Sequence, residues 1–488
     1  ELPAVMIMWH AFCLLKRIML ISATPPPSTG DNVWVLVSTA LVLMMCIPGL
    51  FLFYGGLVRS KNVLSIAAQC LALTAMGVLM WWGFGYSLVF GKSYAGSLIG
   101  HIFGGGEHFG FAGLGFTPDA AYAPGISSGT FALFQAMFAA ITPALIIGAV
   151  AERMKFSAVM LFSFLWTILV YYPIAHAVWG ATGHFSGIAN ADAAFKAADF
   201  AGGIVVHTTA GVSALVGAII LLAIVNLVRR GRDIFLDTRT HAAKYVGNGL
   251  SCGNCHLDAG RLANSAPLWG AFVRYPAYRA KTGEVNNYLE RLQGCFMYSM
   301  NGTAPPADSL ELKALEVYSY WMSQGVPVGA QMQGAGYPKD FKPPQPPDYA
   351  RGQAVYDKNC ALCHGADGLG QQAGGRYVFP PLWGRDSYNW GAGMAQVDKA
   401  AAFIRANMPV GNAGTLSVQQ AWDVAWYIDG QTRPQDPRFA GNLAGTRAEH
   451  HNRAGVRFGS RYATTVAGQT LGDPATAPPH HVPPGHDF

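Results

Sequence analysis

Two copies of the pentad C-x-x-C-H constrain this chain more than any other feature of its sequence. The first runs from Cys252 to His256 and the second from Cys360 to His364. Two thiols one helical turn apart can both add to the vinyl groups of one porphyrin, and the adjacent histidine then reaches the iron. The absence of any further C-x-x-C pair disfavours a zinc cage. The sequence therefore predicts two covalently bound haem c groups. Their attachment and proximal residues are Cys252, Cys255, His256, Cys360, Cys363 and His364.

The 488 residues divide into two parts of different composition. Residues 33–228 are nearly free of charge, whereas residues 229–488 read as soluble protein. The net charge of +6 is modest, and nothing in its distribution indicates a nucleic-acid surface. Half of the eight cysteines lie in the pentads, so no disulfide framework is implied. Covalent haem c instead points to a bacterial inner membrane, with the haem-bearing part on its periplasmic side.

Five apolar runs in the first part are each long enough to cross a bilayer. They lie at 33–57, 64–90, 128–151, 156–180 and 202–228. A hydrocarbon core of about 30 Å needs roughly 20 helical residues, and glycines recur through the runs, as close helix packing in lipid requires. Basic residues follow the first, third and fifth runs, so the positive-inside rule places those ends in the cytoplasm. This topology conflicts with haem attachment on the periplasmic side.

The apolar part resembles the ammonium transporter (Amt) family. The segments that carry the resemblance, in family order, are Pro48–Arg59, Phe134–Phe138, Gly148–Arg153, Pro173–Trp179 and Asp199–His207. The resemblance implies an outer gate at Phe138, cation recruitment at Trp179, a buried carboxylate at Asp199 and a pore histidine at His207. Aromatic faces attract ammonium, and an ionisable residue inside a membrane is a functional candidate. The plainer alternative is that Asp199 caps the fifth helix and Trp179 belongs to an interfacial belt.

The resemblance to the transporters stops after one of the two inverted five-helix repeats from which the family is built. Three interpretations stay open at this point. Two copies could pair to rebuild a pore, the half-bundle could serve as a membrane anchor, or the chain could be a fusion with a truncated channel. In each case lipid is a partner, and ammonium is a possible substrate.

Residues 229–488 predict two small helical cytochrome c modules. The first spans 229–334, a Pro-rich connector spans 335–349, and the second module spans 350–435. Apolar residues recur at helical spacing over Leu310–Gln324 and Ser417–Ile428. With an N-terminal segment 1–32 and the half-bundle 33–228, the predicted fold class is all-α. The tail 436–488 is rich in Gly, Ala, Pro and His, which predicts partial disorder. Its pairs His450-His451 and His480-His481 could bind metal, although exposed tail histidines are the alternative.

Distal iron ligands decide the chemistry of each haem. In the second module Met408-Pro409 stands where small cytochromes place a methionine, and a Met/His pair raises the potential. Met394 and Lys399 are competitors, and core packing is the alternative for Met408. In the first module Met297 and Met300 are near, but Cys295 lies outside any pentad. As a thiolate it would lower the iron's potential, and a buried thiol is the alternative.

The second part is similar to the di-haem thiosulfate dehydrogenases. The segments that carry the similarity are Asp237–Thr240, Gly249–His256, Tyr275–Arg279, Arg291–Gly302, Phe379–Gly384 and Gly391–Met394. The similarity implies that Cys295 ligates the first haem, which is the active site. It further implies that Arg291 and Ser299 hold the anionic substrate, with Arg279 or Lys281 as an additional cation.

An alternative for Arg291 is an ion pair with Glu290 or Glu284 on a solvated helix face.

The function implied by the similarity is oxidation of thiosulfate to tetrathionate, or the reverse, with electrons leaving through the second haem to a cytochrome or another redox carrier. Two rival functions are ammonium transport or sensing with an appended cytochrome, and electron transfer without catalysis.

Overall fold

The computed structural model describes residues 26–92, 94–193, 195–279, 281–338, 342–453 and 456–478. It forms two compact units, Glu1–Leu222 and Ala223–Phe488. Most of the N-terminal segment and the pair His480-His481 lie outside the described residues. Helices make up most of the regular structure, and the strands of the described part form short two-stranded hairpins. The all-α prediction is confirmed.

The first unit contains the first four helices predicted to cross a membrane and the start of the fifth. In the described part of the chain, five helices are long and apolar enough to do so: α1 Thr29–Leu57, α2 Ser60–Phe90, α3 Ser128–Val150, α4 Phe156–Trp179 and α5 Gly203–Leu236. The prediction of five spans is confirmed, and the protein is a membrane protein. A hairpin of strands β1 (Pro118–Asp119) and β2 (Ala123–Ser127) precedes α3.

Local sequence signals explain how these helices begin and pack. Ser127 caps α3 by accepting a hydrogen bond from the backbone N–H of Thr130. Gly77 lets α2 approach α3 closely, because a Cβ there would lie 2.7 Å from the Cα of Ala140. The salt bridge between Arg59 and Glu152, at 3.1 Å, joins the ends of α1 and α3. The first and third spans therefore end on one side, as the basic residues predict.

Helix α5 differs from the predicted boundary at residue 228. It continues to Leu236, and the second unit begins within it at Ala223. The arginines that follow the apolar run do not end the helix, because their side chains are exposed and arginine is a good helix former. Gly231 does not end it either. It packs against helix α7, introduced below, where a Cβ would meet the carbonyl oxygen of Ala314.

The described residues of the second unit form short helices and three hairpins. Its main helices are α6 Tyr288–Gly294, α7 Leu310–Met322, α8 Tyr349–Asn359, α9 Ala361–His364, α10 Val397–Asn407 and α11 Val418–Ile428. Its strands pair as β3 (Ala277–Arg279) with β4 (Glu284–Asn286), β5 (Gln371–Ala373) with β6 (Arg376–Phe379), and β7 (Thr465–Val466) with β8 (Gln469–Thr470). The two helical predictions correspond to α7 and α11, and Ser417 caps α11.

Two apolar cores lie among the described residues of this unit, and the first of them includes residues of both predicted modules. The core around the first pentad includes Phe235 and Phe296, but also Trp390 and Tyr462 from beyond the Pro-rich connector. The second core surrounds Tyr356. The first core is therefore completed by the second module and the tail.

The described residues of the tail contain regular structure. Residues 436–453 and 456–478 include helical turns and the β7–β8 hairpin. Asp436 is buried and accepts hydrogen bonds from Arg438 and from His451 Nε2 at 3.0 Å. His451 also stacks on Tyr462, with ring centroids 4.2 Å apart. His451 is thus a core residue instead of an exposed tail histidine, because its hydrogen bonds compensate its burial.

Candidate functional site

The first pentad is held in place by the polar residues that flank it. Ser251 and Asn254 form a capping box around the turn Cys252–Asn254, and the N–H of Cys252 donates to Thr238 Oγ1 at 3.1 Å. His256 Nδ1 lies 2.6 Å from the carbonyl oxygen of Ala266. This bond makes Nδ1 the protonated nitrogen and leaves the lone pair on Nε2. Burial lowers the pKa of His256, which keeps the ring neutral and able to bind a metal.

A cavity of about 740 Å³ lies beside this pentad, and its wall includes Cys252, Cys255 and His256. The predicted catalytic residues line the same cavity: Cys295, Arg291, Ser299 and Arg279. Met300 also lines it and is buried, whereas the backbone oxygen of Met297 accepts a hydrogen bond from Asn389. The structure therefore brings together all four residues that the sequence singled out.

Cys295 and Arg291 are direct partners on this wall. Asn287 and Glu290 form a capping box at the start of α6, so that the Glu290 carboxylate binds the backbone N–H of Asn287. One turn after Arg291, at i+4, the chain reaches Cys295, and Arg291 Nη1 donates to its Sγ at 2.9 Å. Arg291 thus contacts Cys295, whereas the alternative prediction paired it with Glu290 or Glu284. The sulfur of Cys295 raises the pKa of Arg291, against the effect of burial.

The cavity is strongly cationic. Its basic residues are Arg274, Arg279, Lys281, Arg291 and Lys399, and it has a single acidic residue, Asp398, among the described lining. Lys281 lies over the ring of Tyr298, with Nζ 3.3 Å from the centroid, and donates to the carbonyl oxygen of Gly391. Such an excess of positive charge favours an anionic ligand.

Sequence reasoning missed several residues of this cavity. Arg274 carries no motif, and Lys399 was considered only as a distant iron ligand for the second haem. Both lie on the wall through tertiary packing. The i, i+4 spacing of Arg291 and Cys295 is a signal that was available in the sequence.

The second pentad has a different, apolar environment. Cys360 precedes α9, and His364 Nδ1 lies 2.9 Å from the carbonyl oxygen of Pro380. Burial lowers the pKa of His364. Met408 packs against the same core as Cys360, whereas Met394 packs against both cores and lines the first cavity. Of the three predicted candidates, Met408 is therefore the one placed with the second pentad alone.

These residues fit haem c at both pentads. Each proximal histidine has its Nδ1 fixed by a backbone carbonyl, which is the arrangement that orients metal-bound histidines. The thiols of the first pentad share a roomy, partly aromatic cavity with His256. In the described part of the chain no cluster of three or more His, Cys, Asp or Glu residues offers another metal site.

The transporter-like residues occupy one region of the first unit. Phe138 and Trp179 meet edge to face, with ring centroids 6.3 Å apart, and both pack beside Val206. Asp199 is buried, and its two oxygens accept the N–H groups of Ile204 and Val205 at 3.3 and 3.1 Å. It thus caps α5, as the plainer alternative holds. His207 is exposed.

Comparisons with known protein families match three parts of the chain. The Ammonium Transporter Family matches residues 33–229. The SoxA/TsdA cytochrome c domain matches residues 239–328. The family of cbb3-type cytochrome c oxidase subunit III matches residues 347–428. The second unit is therefore a haem c protein, as the pentads predict.

One curated relative matches the transporter-like part of the chain. The putative ammonium transporter of Methanothermobacter thermautotrophicus is 44% identical over 195 residues, which are 40% of this chain and 44% of that protein. The chain thus spans about half the length of such transporters. A solved thiosulfate dehydrogenase (TsdBA) from Marichromatium purpuratum is 34% identical, over 80% of this chain and 77% of that one, with a TM-score of 0.49.

The thiosulfate dehydrogenase of Thiomonas intermedia is 57% identical over 248 residues, which are 51% of this chain and 78% of that protein. That of Stutzerimonas stutzeri is 54% identical over 248 residues, covering 80% of its length. Identity at this level over most of a relative's length establishes common descent, and the chain belongs to the thiosulfate dehydrogenase family.

Proposed function

We propose that this protein oxidises thiosulfate to tetrathionate, or catalyses the reverse reaction, in the cavity beside the first pentad. In the oxidative direction a sulfur–sulfur bond joins two thiosulfate dianions, and two electrons leave. The observation that carries the proposal is the contact between Arg291 Nη1 and Cys295 Sγ on the wall of a cationic cavity. A sulfur atom and a guanidinium together suit the chemistry of a sulfur oxyanion.

The proposal includes two haem c groups. Cys252 and Cys255 would hold the first, with His256 and Cys295 as its iron ligands. The second would be held by Cys360 and Cys363, with His364 and Met408 as its iron ligands. When bound, each haem supplies a one-electron acceptor whose potential depends on its axial ligands.

The chain's own residues then have distinct tasks. Arg291 donates to Cys295 Sγ and thereby stabilises negative charge on the sulfur. Arg291, Ser299 and Arg279 bind the oxygens of the anion, because all three line the cavity that contains Cys295. Arginine offers a planar fork that matches two oxygens at once.

Aromatic residues give the cavity a wall of low polarity. Tyr275, Tyr288 and Tyr337 line it, and burial raises the pKa of each phenol, so all three are neutral near pH 7. Excluding water strengthens the attraction between the cations and a bound dianion. The partners implied are thiosulfate or tetrathionate and an electron-accepting cytochrome or other redox carrier.

The transporter-like half is, in this proposal, a membrane anchor for the second unit. Haem c attachment favours the bacterial inner membrane with the second unit on its periplasmic side, which requires that the basic residues after the fifth apolar run do not set the orientation of the bundle. Support for an anchoring role comes from Asp199, whose two oxygens are engaged by the backbone of α5. Phe138, Trp179 and His207 all belong to the single transporter-like repeat, residues 33–229.

The experiment is a haem-stained gel and a pyridine haemochrome count on the full chain, followed by thiosulfate-dependent reduction of ferricyanide. We expect two covalent haems per chain and activity that Cys295→Ala abolishes. Two haems without activity in the unmodified chain would contradict catalysis and favour a plain electron carrier. Absence of haem in a folded membrane fraction would contradict the periplasmic location.

A further inference from the structure

The cations of the cavity share one property that the proposed function does not use. Arg274, Arg279, Lys281, Arg291 and Lys399 form no ion pair within 4.0 Å with a carboxylate of the described residues. Partly buried cations without counter-ions are costly unless a ligand provides the negative charge. The haem carboxylates can neutralise some of them. The remaining charge points to an anionic substrate.

Lys399 is distinct among these cations because it comes from the second module. It lies in the first turn of α10, next to Asp398, and both line the cavity of the first pentad. The neighbouring carboxylate does not neutralise it, because Asp398 Oδ1 binds Arg453 Nη2 at 2.5 Å. Arg453 Nε is fixed in turn by Gln396 Oε1 at 3.1 Å. Arg453, a residue of the tail, therefore pairs with the Asp398 carboxylate, and the Lys399 amine remains available for a ligand.

The electrostatic surroundings of Lys399 agree with this geometry. Burial lowers its pKa to about 8, and the guanidinium groups of Arg453, Arg279 and Arg291 act in the same direction, while Asp398 opposes them. Arginines of the first module and of the tail thus repel the protonated amine. At pH 7 it remains mostly protonated, and an anion placed among these groups would relieve their mutual repulsion.

We propose that Lys399 is a substrate-binding residue, and that the anion site for thiosulfate or tetrathionate is built from both modules of the cytochrome unit. Arg291 and Cys295 supply one wall, and Lys399 supplies a charge from the wall formed by α10. Two dianions must meet in one coupling event, so a second cationic wall serves the second sulfur anion. This inference rests on the proposed thiosulfate chemistry.

The test compares the full-length holoprotein with Lys399→Gln, Lys399→Arg and the control Lys313→Gln, whose side chain is exposed on α7. We expect Lys399→Gln to raise KM for thiosulfate about 10- to 100-fold, the range of a lost charge-assisted contact. The same variant should weaken the thiosulfate-induced change in the haem absorption spectrum. Lys399→Arg should restore most of both, and Lys313→Gln should match the unmodified protein.

Other outcomes overturn the inference in distinguishable ways. An unchanged KM and unchanged spectral titration in Lys399→Gln, with the unmodified protein active, would refute the role of Lys399 alone. An altered resting haem spectrum without thiosulfate would assign Lys399 to the haem instead of the substrate. An inactive unmodified protein with both haems would refute the proposed function itself. Arg453→Gln gives a further check, because freeing Asp398 to pair with Lys399 should also raise KM.

Discussion

The two pentads have the same sequence pattern and opposite surroundings. Around the first, five basic residues and Cys295 line a cavity. Around the second, Tyr356, Trp383 and Met408 form an apolar core. A cationic cavity binds and transforms an anion, whereas an apolar wall with a thioether suits transfer of electrons alone. The pentad therefore determines which cofactor is bound, and the neighbouring residues determine which reaction that cofactor serves.

The largest expected effect concerns Cys295, the residue that most distinguishes the first site from the second. Cys295→Ala should lower kcat/KM for thiosulfate at least about 1000-fold, equivalent to about 4 kcal/mol. The reason is that the variant removes both the proposed iron ligand and the partner of Arg291. Steady-state kinetics with ferricyanide measure this loss. Cys46→Ala, in the first unit, is the matched control and should keep full activity.

The next effect concerns stability, because tail residues complete the core around the first pentad. Asp436→Asn should lower the free energy of unfolding by about 3 kcal/mol, because Arg438 and His451 lose their buried carboxylate partner. Arg438 also lies over Tyr298, a residue of the first cavity, at 5.1 Å from its centroid. Denaturant unfolding measures the loss, and Asp473→Asn in the same tail should leave the stability unchanged.

The same carboxylate gives a pH dependence. Burial alone would raise the pKa of Asp436, but hydrogen bonds from His451 and Arg438 outweigh it and hold the pKa well below its usual range. A depressed carboxyl pKa contributes stability above the unfolded value near 4 and loses it as the pH falls further. Unfolding of the unmodified protein should thus become easier below pH 4, and less steeply so in Asp436→Asn. Equal slopes would contradict the assignment.

A smaller effect tests the second pentad. Met408→Leu should lower the potential of one haem by on the order of 100 mV, because axial ligands set haem potentials over a wide range. Spectroelectrochemical titration of the full chain measures it. Met394→Leu is the comparison, since Met394 lines the first cavity. A shift in Met394→Leu but not in Met408→Leu would reverse the ligand assignment.

The smallest expected effect tests how Arg291 acts in the first cavity. Arg291→Lys keeps the charge but loses the planar fork, so kcat/KM should fall about tenfold, or about 1.4 kcal/mol. Titration of activity against thiosulfate at fixed ionic strength measures it. An unchanged kcat/KM would mean that Arg291 acts as a point charge alone.

Sequence patterns predicted the features that depend on neighbours along the chain. The pentads and the five apolar spans belong to this group, because short spacing and run length determine these features. The contact between Arg291 and Cys295 was not predicted, although their i, i+4 spacing offered the signal. The place of Lys399 was not predictable, because it depends on how α10 packs against the first module. The folded segments among the described tail residues were not predictable for a similar reason. The composition of the tail resembles that of disordered segments, but Asp436 and His451 satisfy each other inside the fold.

The hydrogen bonds between the modules have a consequence for how such chains can recombine. The side-chain amide of Asn248 donates to the carbonyl oxygens of Ser299 and Ser387. The side-chain amide of Asn389 donates to the carbonyl oxygen of Met297 and to Asn301 Oδ1. The segment that follows Cys295 is thus fastened by amides that bridge both modules. Cutting between the modules would leave these groups unsatisfied, whereas a junction near residue 223 cuts none of them. The two cytochrome modules together, and not either one alone, therefore form the unit that can be joined to another protein without loss of these hydrogen bonds.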